Sequence, residues 1–330
     1  MKNLVHTIFA QAVSLILFFA ISLLPSVTLA QKAGIALWND VPAAALKDES
    51  SARLIVPNKA RTLRLDITSM KSLLSNAPAE PVLGTSAEGL EISLPTPDGN
   101  FKRYKVWYSP IMAPELAAQY PEIRTYGGYE IGNGASLIRL DVTPKGFHAM
   151  TYGDGASIFI DPYAVGNTQD YLAYYKRDFV KKEAERMTCH VNGEEITIPK
   201  PARGQQESVG DCGIRHEYRL ALAGTGEYTT FHGGTVPLAL AAMNTTMNRV
   251  NGVFEKDVAV RMIIVANNNL IIYTDATTDP FTNGNPNQMI GQNQVTCDGV
   301  IGSANYDIGH VFGTNSGGLA GLGAVCSNSM

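Results

Sequence analysis

Short stretches in which apolar and polar residues alternate dominate the chain between residues 61 and 163. Six of them are candidate strands, at residues 61–67, 89–94, 101–108, 136–142, 146–151 and 157–160. A Pro-Thr-Pro-Asp-Gly-Asn turn separates the second candidate from the third. An alternation of period two predicts half-buried strands, and this close spacing predicts an antiparallel sheet or sandwich.

The pattern changes after a Pro- and Gly-containing linker at about 200–213. A strand at 218–223 precedes Thr235, a predicted helix N-cap, and an apolar stripe with steps of three and four predicts a long helix. The stripe consists of Val236, Leu240, Met243, Met247, Val250 and Phe254. Strands at 258–266 and 270–274, a helix at 287–305, and strands at 310–312 and 318–326 follow. We therefore predict an α+β or α/β protein: a β-rich domain, then a mixed sheet with two helices.

The first thirty residues have the three-part pattern of a signal peptide. Lys2 gives a basic start, residues 13–24 form an apolar run, and Thr28-Leu29-Ala30 supplies small residues for cleavage. An uncleaved anchor is the alternative, although it would need a longer apolar run. We expect cleavage near Ala30 and secretion, with a β-rich domain at 31–205 and a second domain at 206–330.

Charge excludes some classes of partner. The chain has 26 Lys and Arg against 30 Asp and Glu, a formal charge of -4, so it lacks the basic surplus of most nucleic-acid-binding proteins. After the leader no run approaches 18 apolar residues, so we expect no membrane association once the signal is removed.

Four cysteines follow, Cys189, Cys212, Cys297 and Cys326. An even number in an exported protein indicates two disulfides, with three pairings open. We favour Cys189 with Cys212, which would close the linker.

Several motifs lie along these elements: Asn248-Arg249-Val250-Asn251 ahead of Phe254-Glu255, the strand at 258–266, Tyr306 to Val311, and Gly318-Leu319-Ala320 up to Cys326. Together with the order of elements, they resemble the upper half of a metzincin catalytic domain. The resemblance is to the reprolysin (adamalysin) zinc metallopeptidases and covers about 214–326. Residues 31–205, with the motifs at 112–116 and 120–123, resemble the propeptide of such precursors.

The resemblance implies roles for individual residues. Gly318, Leu319, Ala320 and Gly321 would form the sheet edge that pairs antiparallel with an extended peptide or protein substrate. Asp307 matches an acid that binds calcium in the family, but Arg219 stands where the other acid is expected, so we predict no calcium. Cys326 would lack its family partner, and Cys297 is an alternative one. Cys189 could act as a latency cysteine, although we prefer the disulfide.

The zinc motif of the family does not occur in these 330 residues. H-E-x-x-H places two histidines one helical turn apart with a glutamate base, whereas His216-Glu217 is followed by Leu220. Asp307 and His310 have a ligand-like spacing but no third ligand nearby. We therefore predict no catalytic residue and no metal ligand here, with zinc expected only in a full-length enzyme.

Two functions are consistent with these observations. The first is the N-terminal part of a secreted zinc metalloendopeptidase precursor, inactive as given; a fragment is favoured over a natural pseudoenzyme. The alternative is a secreted non-catalytic two-domain protein that binds peptides or proteins.

Overall fold

The computed structural model describes residues 35–46, 52–82, 88–179, 189–192, 214–314 and 317–321. The predicted signal peptide at 1–30, the linker at 200–213, Cys212 and Cys326 lie outside these residues. For clarity, residues 35–179 are called the N-terminal module and residues 214–321 the C-terminal module.

Nine strands of the described N-terminal module form one antiparallel sheet. They are β1 (Trp38–Asp40), β2 (Arg61–Leu65), β3 (Leu90–Pro95), β4 (Phe101–Tyr108), β5 (Arg124–Glu130), β6 (Asn133–Thr143), β7 (Gly146–Gly153), β8 (Ile158–Pro162) and β9 (Asp170–Tyr175). Their order across the sheet is β1-β2-β9-β8-β7-β6-β5-β4-β3. The predicted antiparallel sheet is therefore confirmed, with all six predicted strands present and β1, β5 and β9 added.

One face of this sheet carries the apolar core of the module. Helix α1 (Ile67–Leu74) covers it with Met70 and Leu74, and Trp38 packs edge-to-face on Phe147 and Tyr171. The prediction that Ile67 ends a strand is wrong, because the carboxylate of Asp66 accepts from the Ser69 N–H at 3.0 Å and caps a helix there. The short helix α2 (Pro114–Gln119) follows β4.

The C-terminal module is built on a three-stranded parallel sheet. Its elements are β11 (His216–Gly224), helix α3 (Gly226–Phe231), helix α4 (Val236–Val258), β12 (Val260–Ile264), helix α5 (Pro286–Val300) and β13 (Ile308–Phe312), and the strand order is β12-β11-β13. Leu220 and Leu222 of β11 face α4, whereas Ala221 and Ala223 face α5. The two helices therefore cover opposite faces of the sheet.

Two further strands pair with each other. They are β10 (Cys189–Asn192) and β14 (Gly318–Gly321). The prediction of a mixed sheet in this module is corrected, because every strand pairing described for β10 to β14 is parallel.

The strand predicted at 270–274 is also wrong. Residues Asn268–Ile271 form a 3-10 turn, and Ile272 makes only a single bridge to Gly224. The Asn268 side chain accepts from the Leu222 N–H at 2.7 Å and donates to the Leu222 carbonyl at 2.9 Å. The Asn268 amide thus satisfies the N–H and the carbonyl of Leu222, at a point where β11 extends past the end of β12. No further strand is needed to pair with β11 there.

Helix ends differ from the predicted boundaries for backbone reasons. Ala259 has a φ of 54°, which ends α4 after Val258 instead of starting a strand at that residue. Gly302 has a φ of 87° and separates α5 from a 3-10 turn at Ser303–Asn305, within the predicted helix at 287–305. The predicted apolar stripe of α4 is buried at Leu240, Met243 and Met247, while Phe254 is 42% exposed.

A segment of the N-terminal module extends the C-terminal sheet. The Ile264 N–H donates to the Ile111 carbonyl and the Ala113 N–H donates to the Ile264 carbonyl, both at 2.8 Å, and Met112 bridges Ile264 in parallel. The outer edge of β12 is therefore paired with residues 111–113 rather than open to solvent.

Among the acid–arginine pairs that cross between the modules, two run in opposite directions. Glu80 of the N-terminal module accepts from Arg261 of β12 at 2.7 and 2.9 Å. Glu255 of α4 accepts from Arg139 of β6 and also from Arg261, the latter at 2.7 Å. Both arginine side chains are 4% exposed, against 28% for Glu80 and 15% for Glu255.

Helix α4 lies directly on the second face of the N-terminal sheet. Its Asn248 side chain donates to the Leu140 carbonyl at 3.0 Å, and its Thr245 hydroxyl donates to the Asp141 carboxylate at 2.8 Å. A Cβ atom at Gly252 would lie 2.8 Å from Arg139 Cγ and 3.0 Å from the Tyr152 ring. A glycine is thus what lets the helix approach the strands this closely.

We expect Gly252→Ala to destabilise the protein by about 1–2 kcal/mol. Removing a helical glycine normally stabilises by about 0.5–1 kcal/mol, but overpacking of a close contact costs about 1–3 kcal/mol and dominates. The control is Gly291→Ala in α5, where nothing lies within 4 Å of the added carbon. Urea unfolding should show opposite signs for the two variants, and a gain of stability in both would contradict the close approach.

Glu80 should make the stability of the protein depend on pH. Burial opposes its ionisation, but hydrogen bonds and charge from Arg261 outweigh this and lower the pKa of Glu80 from 4.5 to about 2. A lowered folded-state pKa adds stability above pH 4.5 that is lost as the pH falls towards 2. The difference between the two pKa values corresponds to about 3 kcal/mol of stability, because one pKa unit equals about 1.36 kcal/mol.

The check is urea unfolding at pH 7 and pH 3 for the wild type and Glu80→Gln. By linkage, about 2 kcal/mol of the Glu80 contribution should be gone at pH 3. The wild type should therefore lose about 2 kcal/mol more than the variant between the two pH values. Equal losses would show that Glu80 is not ionised against Arg261 in the folded protein.

Candidate functional site

The Gly-rich strand β14 is the predicted substrate edge. In the structure, Gly318 to Gly321 pair in parallel with Cys189 to Asn192, residue for residue. A segment of the same chain therefore lies along a backbone edge where an antiparallel substrate was predicted. Substrate binding by Gly318, Leu319, Ala320 and Gly321 stays a prediction.

Arg219 and Asp307 lie together, as the resemblance implied for these positions. The Arg219 guanidinium donates to both Asp307 oxygens, at 2.7 and 3.1 Å, and the Arg219 backbone N–H donates to the same carboxylate at 2.7 Å. These side-chain hydrogen bonds hold the pKa of Asp307 below its usual range. The cation of Arg219 takes the carboxylate oxygens that a metal ion would need.

The described residues do not fit a zinc ion. Asp307 precedes β13 and His310 lies within it, so the three-residue spacing falls on extended chain and not on a helical turn. The His310 ring lies edge-to-face with Phe312 at 5.0 Å. Within the described ranges, no group of three or more His, Cys, Asp or Glu side chains is placed to hold a metal.

Cys297 is a free thiol, which corrects its inclusion among the disulfide candidates. It lies fully buried between α5 and the sheet, and its thiol donates to the side-chain amide oxygen of Asn293 at 3.6 Å. Burial and the neighbouring Asp298 raise the pKa of Cys297 to about 12, so the thiol is protonated and unreactive at neutral pH. For Cys189 the structure describes only the backbone, so its pairing with Cys212 stays a prediction.

A small cavity at the module boundary contains other titratable groups. It has a volume of about 120 Å³ and is lined by Lys145, His148, Asp161 and His232 together with apolar residues. The His148 Nδ1 atom lies 3.0 Å from the Asp141 carboxylate, so this histidine has a hydrogen-bond partner within the fold. Burial, with Lys145 nearby, lowers the pKa of His232 to about 4, so that its ring is neutral at physiological pH.

The Asn-Arg-x-Asn motif of α4 proves to be an anchor for the helix. Asn251 bonds to both backbone groups of Met262, at 2.8 and 2.9 Å, and Arg249 donates to the Asp161 carboxylate at 2.6 Å. Sequence reasoning singled out this motif but missed Glu80 and Arg139. Their partners lie more than 100 residues away along the chain, so no local pattern marked them.

The sequence of the C-terminal module matches a known family. Residues 214–330 match the family model described as metallopeptidase family M12B, reprolysin-like. This region agrees with the predicted resemblance at 214–326 and covers a little over a third of the chain. No curated protein matches the chain.

The helices of the described residues are all too short or too polar to span a bilayer.

Proline substitution in β10 tests the pairing on β14. Proline has no backbone N–H and cannot donate a hydrogen bond to a neighbouring strand. In a parallel pair, the backbone N–H of only one of two consecutive residues points towards a given partner strand, so both positions are substituted. We expect His190→Pro combined with Val191→Pro to speed amide exchange at Gly318 to Gly321 by about tenfold or more.

The matched control is the double alanine variant at the same two positions, which keeps both N–H groups and should leave exchange unchanged. Equal exchange in the proline and alanine variants would mean that β10 does not cover β14.

Proposed function

We propose that the chain is the N-terminal part of a secreted zinc-dependent metalloendopeptidase precursor. The observation that carries this proposal is the match of residues 214–330 to the reprolysin-like metallopeptidases. The succession of β11, α4, β12, α5, β13 and β14 follows the expected order of elements, apart from the strand expected at 270–274, which does not form. In this proposal residues 1–30 are a secretion signal and residues 31–205 a propeptide.

The proposal assigns no hydrolytic step to the described residues. The M12B family depends on zinc, which activates water for attack on a peptide bond. The printed sequence contains no H-E-x-x-H, and the described residues offer no set of three ligands. We therefore propose that these 330 residues alone neither hold catalytic zinc nor cleave peptides.

A secreted peptide-binding protein is the second candidate function. The observation that favours it is the pairing of β14 with an extended segment, since a strand that accepts one extended chain offers backbone groups for β-augmentation. Its partner would be an extended peptide or an exposed protein strand.

Zinc binding and proteolysis distinguish the two functions. We expect the purified, signal-free chain to show no stoichiometric zinc binding by calorimetry and no casein cleavage. We expect the coding DNA beyond codon 330 to encode H-E-x-x-H, and the longer chain to bind one zinc and cleave casein. Replacing the motif glutamate by glutamine should abolish that cleavage, because the general base is lost.

A stop codon directly after codon 330 would overturn the precursor proposal and favour the binding protein. Tight one-to-one zinc binding with cleavage by the 330-residue chain would also contradict it, because the ligands would then lie among residues that we excluded.

A further inference from the structure

The C-terminal module completes its core with side chains of the N-terminal module. Ile111, Met112, Leu116 and Ile123 are buried in one cluster with residues of β11, α4 and β12, and Leu116 is fully buried there. The N-terminal module has a separate core on the other face of its sheet, which does not include these four residues. The segment 111–123 thus belongs to one module by sequence and to the other by packing.

The same segment closes the sheet edge of the C-terminal module. Residues 111–113 pair with β12 through the two backbone hydrogen bonds at Ile264. If the N-terminal module left, β12 would present an unpaired edge, and the apolar side chains of Met262 and Ile264 would meet water.

Polar contacts fix the relative position of the modules around this core. Each module supplies an acid to an arginine of the other, through Glu80 with Arg261 and Glu255 with Arg139. Asn248 adds a hydrogen bond from α4 to the backbone of β6. Because the arginines are buried and charge-paired, moving the modules apart would break charge-assisted hydrogen bonds as well as expose apolar surface.

We propose that the N-terminal module remains bound to the C-terminal module, as a non-covalent subunit, after the chain between them is cut. The interface consists of the β12 edge, the side of α4 that packs on the N-terminal sheet and the arginine pairs, and its partner is the segment 111–123 with strands β6 and β7. This inference goes beyond the proposed function and does not depend on peptidase activity. A single cut between residues 179 and 214 would not release the module.

The test is to cut the folded protein at one place and ask whether the halves separate. A site-specific protease sequence is inserted between Glu183 and Ala184. All four cysteines follow residue 188, so no disulfide can join the two fragments. After cutting, the sample is analysed by size-exclusion chromatography at about 1 µM and again after about 100-fold dilution. The two concentrations span the dissociation constants that are typical of stable protein interfaces.

We expect the two fragments to elute together at both concentrations. Elution as separate fragments at about 1 µM would overturn the proposal. The result concerns binding only, so loss or presence of proteolysis has no bearing on it.

Two leucine substitutions show whether the shared core holds the fragments. Leu116→Ala removes a buried side chain from the shared cluster, while Leu63→Ala removes an equally buried one from the core of the N-terminal module alone. We expect Leu116→Ala to raise the dissociation constant of the cut protein by about 30-fold or more. Leu63→Ala should change it by less than about threefold. Equal weakening by both variants would contradict the assignment of this interface.

Discussion

The outer edge of β12, which a segment of the N-terminal module covers, is the feature on which the rest of the structure depends. A three-stranded parallel sheet with helices on both faces has two edges and a small core, and parallel strands are stable only where they are well covered. Here residues 111–113 pair with Ile264, and the side chains behind them complete the core beneath α4. The C-terminal module therefore completes both its core and its sheet edge with part of the module that precedes it.

Burial of charge and close helix packing follow from that arrangement. Once α4 lies on β6 and β7, Arg139 and Arg261 are withdrawn from water, and each needs an acid held in the same place. Glu80 and Glu255 meet this need from opposite modules. Gly252 lets the helix approach the strands closely enough for these hydrogen bonds to form. The contacts of the N-terminal module thus support the packing of the C-terminal module.

Local patterns predicted elements well and contacts between them poorly. The three-and-four spacing from Val236 predicted α4, and alternation predicted β2, β3, β4, β6, β7 and β8. The strand at 270–274 failed because the side chain of Asn268 satisfies Leu222, a contact that no periodicity encodes. The partnership of Ile111 with Ile264 spans about 150 residues and depends on how the modules dock. The candidate edge at Gly318 was expected from the family resemblance, but its pairing with residues 189–192 was not.

Whether the modules unfold together tests the central claim most directly. Both tryptophans, Trp38 and Trp107, lie in the N-terminal module, and the buried thiol of Cys297 lies in the C-terminal module. Urea unfolding is followed by tryptophan fluorescence and, in the same samples, by alkylation of Cys297 read from its peptide by mass spectrometry. A shared core predicts coincident transitions with one midpoint. Alkylation of Cys297 at clearly lower urea than the fluorescence change, or the reverse, would show two independent modules and contradict the account.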